Sequence, residues 1–111
     1  MDFNNSVIFD ADLEWVDLQN GIRRKVMTHS DALMLVKFEF QAGAIGVLHR
    51  HPHLQMSYVA EGSFEFTIEG ISKTMHKGDV YSVPPNAEHG VVCLEAGLLV
   101  DVFSPMRADF L

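Results

Sequence analysis

The chain has 111 residues, the length of one domain, and carries 8 Lys and Arg against 15 Asp and Glu for a formal charge of -7. An acidic chain without a basic stripe repels phosphate backbones, so nucleic acid is not an expected partner. No apolar run approaches membrane-spanning length, no secretory leader is visible, and the one cysteine, Cys93, forms no intramolecular disulfide; no membrane partner and a cytoplasmic location are expected.

In chain order, the first thirty residues read as N-terminal strands, and Asn20-Gly21 predicts a type I′ hairpin turn, because both central residues need positive φ. Arg23-Arg24-Lys25 reads as a solvated edge. Met34, Val36, Phe38 and Phe40 share one parity of a strand, opposite Lys37, Glu39 and Gln41. Further runs cover Gln55-Val59, Phe64-Ile68, Val80-Val83 and Leu98-Phe103. Turn signals separate them at Ala42-Gly43, Glu61-Gly62, Glu69-Gly70, Lys77-Gly78, Pro84-Pro85-Asn86 and Ala96-Gly97. No segment reads as a helix. Short apolar strands punctuated this often predict an all-β sandwich or barrel. Cys93 lies in an apolar run and reads as a small buried hydrophobe.

Three of six histidines fall within His49-Arg50-His51-Pro52-His53. On a strand, positions i and i+2 face the same way, so His49 and His51 present two imidazoles side by side. Pro52 has no N–H and is expected to end that strand. Gln55 opens the next strand and can reach back, while His89 follows the rigid Pro84-Pro85-Asn86 turn. A cluster of this kind is either a divalent metal grip or a solvated histidine patch. His53 falls in the turn and reads as a rim residue, and His29 and His76 as surface residues.

The spacing of these residues resembles the cupin family. Gly43, His49, His51, Gln55 and Gly62 match its first motif, within residues 43–62. Gly78, Pro84, Asn86 and His89 match its second, within residues 78–93. The resemblance implies a single cupin domain over 1–111, a double-stranded β-helix (jelly-roll barrel). It also implies one divalent ion, nickel, zinc, iron or manganese, held by His49, His51, Gln55 and His89. Two positions depart from the pattern. Gln55 replaces the usual Glu and removes a negative charge, which leaves a stronger Lewis acid that attracts anions. Asn86 replaces a usual Gly but tolerates positive φ.

The last strand and tail, residues 98–111, hold Asp101, the only charge in Leu98-Phe103, on the same strand face as Phe103. From the residues alone, Asp101 is either a cavity carboxylate or an edge residue facing solvent. Asp101-Val102-Phe103-Ser104-Pro105-Met106-Arg107 resembles the ending of the KdgF-type pectin-degradation cupins. That resemblance implies conversion of 4,5-unsaturated uronate monosaccharides into linear ketonised sugars, and hence a small anionic sugar acid as substrate. It assigns Asp101, Phe103 and Arg107 to the active site: a proton shuttle, a ring-packing aromatic and an anion clamp. It also implies a homodimer, with Val7-Ile8-Phe9 and Trp15-Val16 as contact strands. Cupins host other metal-dependent reactions and non-catalytic binding modules, so a dioxygenase, a lyase or a sensor stand as the alternatives.

Overall fold

A computed structural model describes residues 2–111. Eight antiparallel strands account for the regular structure: β1 (Val16–Asp17), β2 (Ile22–His29), β3 (Met34–Phe40), β4 (Ile45–His49), β5 (Leu54–Ile68), β6 (Ile71–His76), β7 (Val80–Val83) and β8 (His89–Ser104). Two 3-10 turns, Asp10–Asp12 and Ala108–Phe110, flank them. The all-β expectation holds, and the architecture is that of a jelly-roll barrel.

The two long strands organise everything else. The first half of β5 pairs with the second half of β8 and with β7, and its second half pairs with the first half of β8 and with β6. The outer end of β8 continues through β3, β2 and β1, while its inner end pairs with β4. One strand pair therefore belongs to both walls of the barrel and turns the corner between them. The corner lies where the β5–β8 register shifts, between Val59 and Phe64. Glu61-Gly62 and Ala96-Gly97 were expected to be turns; both instead lie inside the long strands, at this bend. Glycine is required there because Gly62 has φ +77 and a Cβ on it would lie 2.5 Å from the carbonyl oxygens of Glu95 and Ala96.

The hairpin signal at Asn20-Gly21 is realised. Both residues have positive φ, and the Ile22 N–H donates to the Gln19 carbonyl across the turn. The core fills the space between the walls, with Phe40, Val59, Phe64, Val83, Cys93 and Leu99 in one cluster and Met34, Val36 and Phe103 in a second. Burying an aliphatic or aromatic side chain of this kind contributes about 1.5–3 kcal/mol, which makes these two clusters the main source of stability. Cys93 is buried in it as expected, and burial raises its thiol pKa.

Two expectations for the N-terminal region are corrected. Arg23-Arg24-Lys25 is not a solvated edge. β2 lies between β1 and β3, and Lys25 is buried, its ammonium donating to the Asp10 carbonyl at 3.1 Å and carboxylate at 3.2 Å. The indole of Trp15 takes up the remaining face, with Arg23 at 4.4 Å and Lys25 at 4.6 Å from its ring. The segment before β1 thus covers the outer face of β2 within its own chain. Val7-Ile8-Phe9 forms no strand and is exposed.

Candidate metal centre and cavity

His49 ends β4 and His89 opens β8, and the two are direct cross-strand partners. His51 lies two residues past the end of β4, in the Arg50–His53 connection, so the strand stops at His49 and not at Pro52. The side-chain alternation expected of a continuous strand is not what delivers His51; the loop does. Its imidazole nevertheless lies with the others: the ring centroids are 5.4 Å from His49 and 4.8 Å from His89, and His49 and His89 are 4.5 Å apart. One ligand atom from each of the three falls within 4.8 Å of the others. Gln55 enters from β5 with its side chain buried.

Hydrogen bonding fixes which ring nitrogens are available. Nδ1 of His49 contacts the Val47 carbonyl at 2.9 Å, Nδ1 of His51 the His53 carbonyl at 3.1 Å, and Nδ1 of His89 the Ala87 carbonyl at 2.9 Å. A carbonyl only accepts, so each Nδ1 carries the proton and donates. Every Nε2 therefore presents a lone pair in the neutral ring. Burial holds His51 below its ordinary pKa and His89 down to about 4, so neither ring gains a second proton near neutral pH.

The Gln55 amide is oriented by the same logic. Its Nε2 lies 3.1 Å from Ser57 Oγ and 3.4 Å from Asp101 Oδ2, which directs Oε1 toward the imidazoles. Oε1 is 2.9 Å from His51 Nε2 and 3.2 Å from His89 Nε2. With Nδ1 already protonated, these contacts place acceptor against acceptor. Such an arrangement is repulsive until a cation enters between the lone pairs, and the donor set of imidazole nitrogen and amide oxygen suits a divalent transition ion. The three-histidine group can hold a metal ion. Its exposed member, His49, marks the open side.

A cavity of about 350 Å³ adjoins the centre, near the lower end of the roughly 300–1,000 Å³ typical of small-molecule sites. His49, Gln55, His89, Asp101, Phe103 and Arg107 line it. The strand register explains this convergence. Gln55 pairs with Phe103 and Val83, and Ser57 pairs with Asp101 and Tyr81, so two successive inward rows run across β7, β5 and β8. The second row is polar. Asp101 does not face solvent; it is 5% exposed, and its Oδ1 is buried without a hydrogen-bond partner among the described residues. Burial raises its pKa to about 7, against the lowering influence of Ser57 and Arg107.

Tyr81 is a site residue that sequence reasoning missed. It lines the cavity, stacks on Phe66 at 3.9 Å, and burial beside Asp101 raises its pKa far enough to keep the phenol protonated, while Ser57 and Gln55 contact its hydroxyl. Phe103 is buried, with its ring 5.8 Å from that of His51. Arg107 folds back over it, 5.2 Å from the ring centroid, with Nε and Nη2 held by Asp109 at 3.1 and 2.8 Å. His53 sits beside His51 at the rim, and its Nδ1 is buried without a partner among the described residues. His29 and His76 are exposed, as expected. Asn86 adopts φ +66, so the departure from Gly is accommodated.

Comparison with known proteins identifies the family. The cupin domain family model matches residues 36–103. The pectin degradation protein KdgF of Dickeya dadantii is 51% identical over 104 residues, covering 92% of this chain and 94% of that protein. The solved structure of KdgF from Halomonas sp. superposes with a TM-score of 0.90 at 39% identity, covering 94% and 98% of the two chains. An RmlC-like cupin from Shewanella frigidimarina gives a TM-score of 0.91 at 42% identity, with 93% of each chain covered. The chain belongs to the cupin family, and within it to the group represented by KdgF.

Proposed function

We propose that this protein is a metal-dependent cupin that converts 4,5-unsaturated uronate monosaccharides, released by pectin or alginate breakdown, into linear ketonised sugars. His49, His51, Gln55 and His89 are the ligands of one divalent ion in this reading. Bound there, the ion supplies a Lewis acid for oxygen atoms of the sugar, uncompensated by any anionic ligand. The reaction is an isomerisation. The C1–O5 ring bond breaks, O1 loses its proton to leave an aldehyde, and the C5 enol becomes a ketone as C4 gains a proton. No oxidant, reductant or second substrate is needed.

The observation that carries the reading is the position of Asp101. Its carboxyl is buried against the Gln55 amide and has a pKa of about 7, so both protonation states are populated at neutral pH. Asp101 takes the proton from one oxygen and returns one to carbon. Gln55 and Ser57 hold its position. Phe103 packs on the sugar ring and excludes water, and Arg107, braced by Asp109, adds positive charge at the mouth. The 51% identity to a pectin degradation protein supports the substrate class.

The test uses purified, metal-loaded protein with unsaturated galacturonate. Loss of the conjugated double bond's ultraviolet absorbance, abolished by Asp101→Ala at unchanged metal content, is expected. Wild-type protein that leaves the absorbance unchanged refutes the reading. Exposed Val7, Ile8 and Phe9 support a homodimer as the working assembly, checked by sedimentation. The single, buried, free cysteine accords with a cytoplasmic setting. No helix among the described residues is long and apolar enough to cross a membrane.

A further inference from the structure

Arg24 lines the same cavity from β2, two strands from β8 in the sheet that also carries the first half of β5. Its strand parity is the reason. Arg23 and Lys25 point outward to Trp15, and Arg24, between them, points in beside Ile22, another lining residue. It pairs across the sheet with Phe38, which pairs in turn with Leu99, one inward row from Asp101. The ring of Phe110 contacts both cavity arginines, each guanidinium carbon lying 4.2 Å from its centroid.

The two arginines are in different states. Arg107 commits Nε and Nη2 to Asp109. Arg24 makes no side-chain hydrogen bond and no ion pair within 4 Å among the described residues; its only close partner is the aromatic face. A half-buried guanidinium keeps five donors in a planar fork that matches a carboxylate. The local charge balance points the same way. Burial and the neighbouring Arg107 disfavour its charge, with Asp109 offsetting them only in part. The cavity thus holds a guanidinium with no carboxylate within 4 Å among the described residues, in a space of about 350 Å³ that admits a monosaccharide.

We infer that Arg24, and not Arg107, is the residue that grips the substrate's carboxylate, which makes it the determinant of acidic over neutral sugars. This rests on the uronate reading above. Arg24 binds the carboxylate through its free fork at the end of the cavity bounded by Phe110. Arg107 is a positioning residue that holds Phe110 and Phe103 in place through its pairing with Asp109. The sugar is thereby oriented with its acid group at the arginine and its ring toward Asp101.

The experiment measures binding, independently of turnover, with metal-loaded protein whose metal content and thermal unfolding are recorded. The probes are saturated galacturonate and its methyl ester, titrated by calorimetry. Wild-type protein is expected to prefer the acid by about 10- to 100-fold, the range for a charge-assisted hydrogen-bonded pair. Arg24→Met is expected to lose that preference, and Arg24→Lys, which keeps the charge but not the fork, to retain part of it. Wild-type protein with no preference for the acid, or a folded Arg24→Met that keeps it, overturns the assignment. An Arg24→Met protein that unfolds leaves the decision to Arg24→Lys, where an undiminished preference overturns the role of the fork. Normal discrimination without loss of ultraviolet absorbance on the unsaturated sugar overturns the proposed reaction and leaves the Arg24 assignment standing.

Discussion

Replacing Asp101 by Asn separates the chemistry of the carboxyl from its effect on the fold, and the two are expected to move in opposite directions. Raising a carboxyl pKa from 3.8 to about 7 corresponds to about 4 kcal/mol of cost for the ionised form, at about 1.36 kcal/mol per pH unit. The folded pKa lies above the unfolded one. The proton's stabilisation is therefore complete below about pH 4 and is lost as pH rises through about 7. In metal-free protein at pH 8, Asn removes the buried charge and recovers up to about 4 kcal/mol. Against this, an amide that keeps its oxygen toward Gln55 Nε2 must bury its NH2 where Oδ1 has no partner, at a cost of about 1–3 kcal/mol. The metal-free variant should thus be more stable than wild type by about 1–3 kcal/mol at pH 8 and less stable by a similar amount at pH 4. Urea unfolding at the two pH values checks this. Turnover should fall by a factor of about 10² to 10⁴ with metal content unchanged. A variant that keeps its turnover, or whose stability difference fails to change sign, refutes the reasoning for activity or for burial respectively.

Three further outcomes are expected. Chelation of the metal should lower the melting temperature, and adding the ion back at a hundredfold excess over its dissociation constant should restore about 2.7 kcal/mol; an unchanged melting curve means that no ion is bound by the folded state. Gln55→Leu should weaken metal binding by about tenfold or more in a competition titration, because it removes Oε1 and leaves Ser57 and Asp101 without their amide donor. Gly62→Ala should cost about 3 kcal/mol or more in urea unfolding, since its Cβ meets two backbone carbonyls at 2.5 Å in a positive-φ conformation; a loss below about 1 kcal/mol would show that the corner tolerates opening.

The candidate metal group was legible because closely spaced histidines are rare and fit a motif spacing, although strand periodicity failed at His51, which a loop delivers. The same periodicity brought Asp101 and Phe103 to one face, and both are inward. Where the sequence misled, the cause was physical ambiguity in a local signal. A glycine at a strand bend and a glycine at a turn have the same composition, so Glu61-Gly62 and Ala96-Gly97 read as chain reversals when the partner strand was out of view. The long-range pairing of β5 with β8 decides between them. Arg23-Arg24-Lys25 was read as a solvated block, but alternation splits it between two environments, and the outer one is covered by Asp10 and Trp15. Tyr81 falls in the run Val80-Val83, which reads as a strand, yet its place in the cavity depends on facing Ser57 across a ladder that only the register reveals.

The division of labour between the long β5–β8 ladder and the rim has an evolutionary consequence. Gln55, His89, Asp101 and Phe103 ride on two strands whose disruption would dismantle both walls at once. Part of the cavity lining comes instead from chain that carries little of the fold: Gln19 and Asn20 at the tight reversal and Phe110 in the closing turn Ala108–Phe110. Substitutions in these segments can therefore reshape the cavity while the candidate site residues stay in register. Diversification of ligand choice among relatives of this chain should accumulate at the rim and spare the ladder.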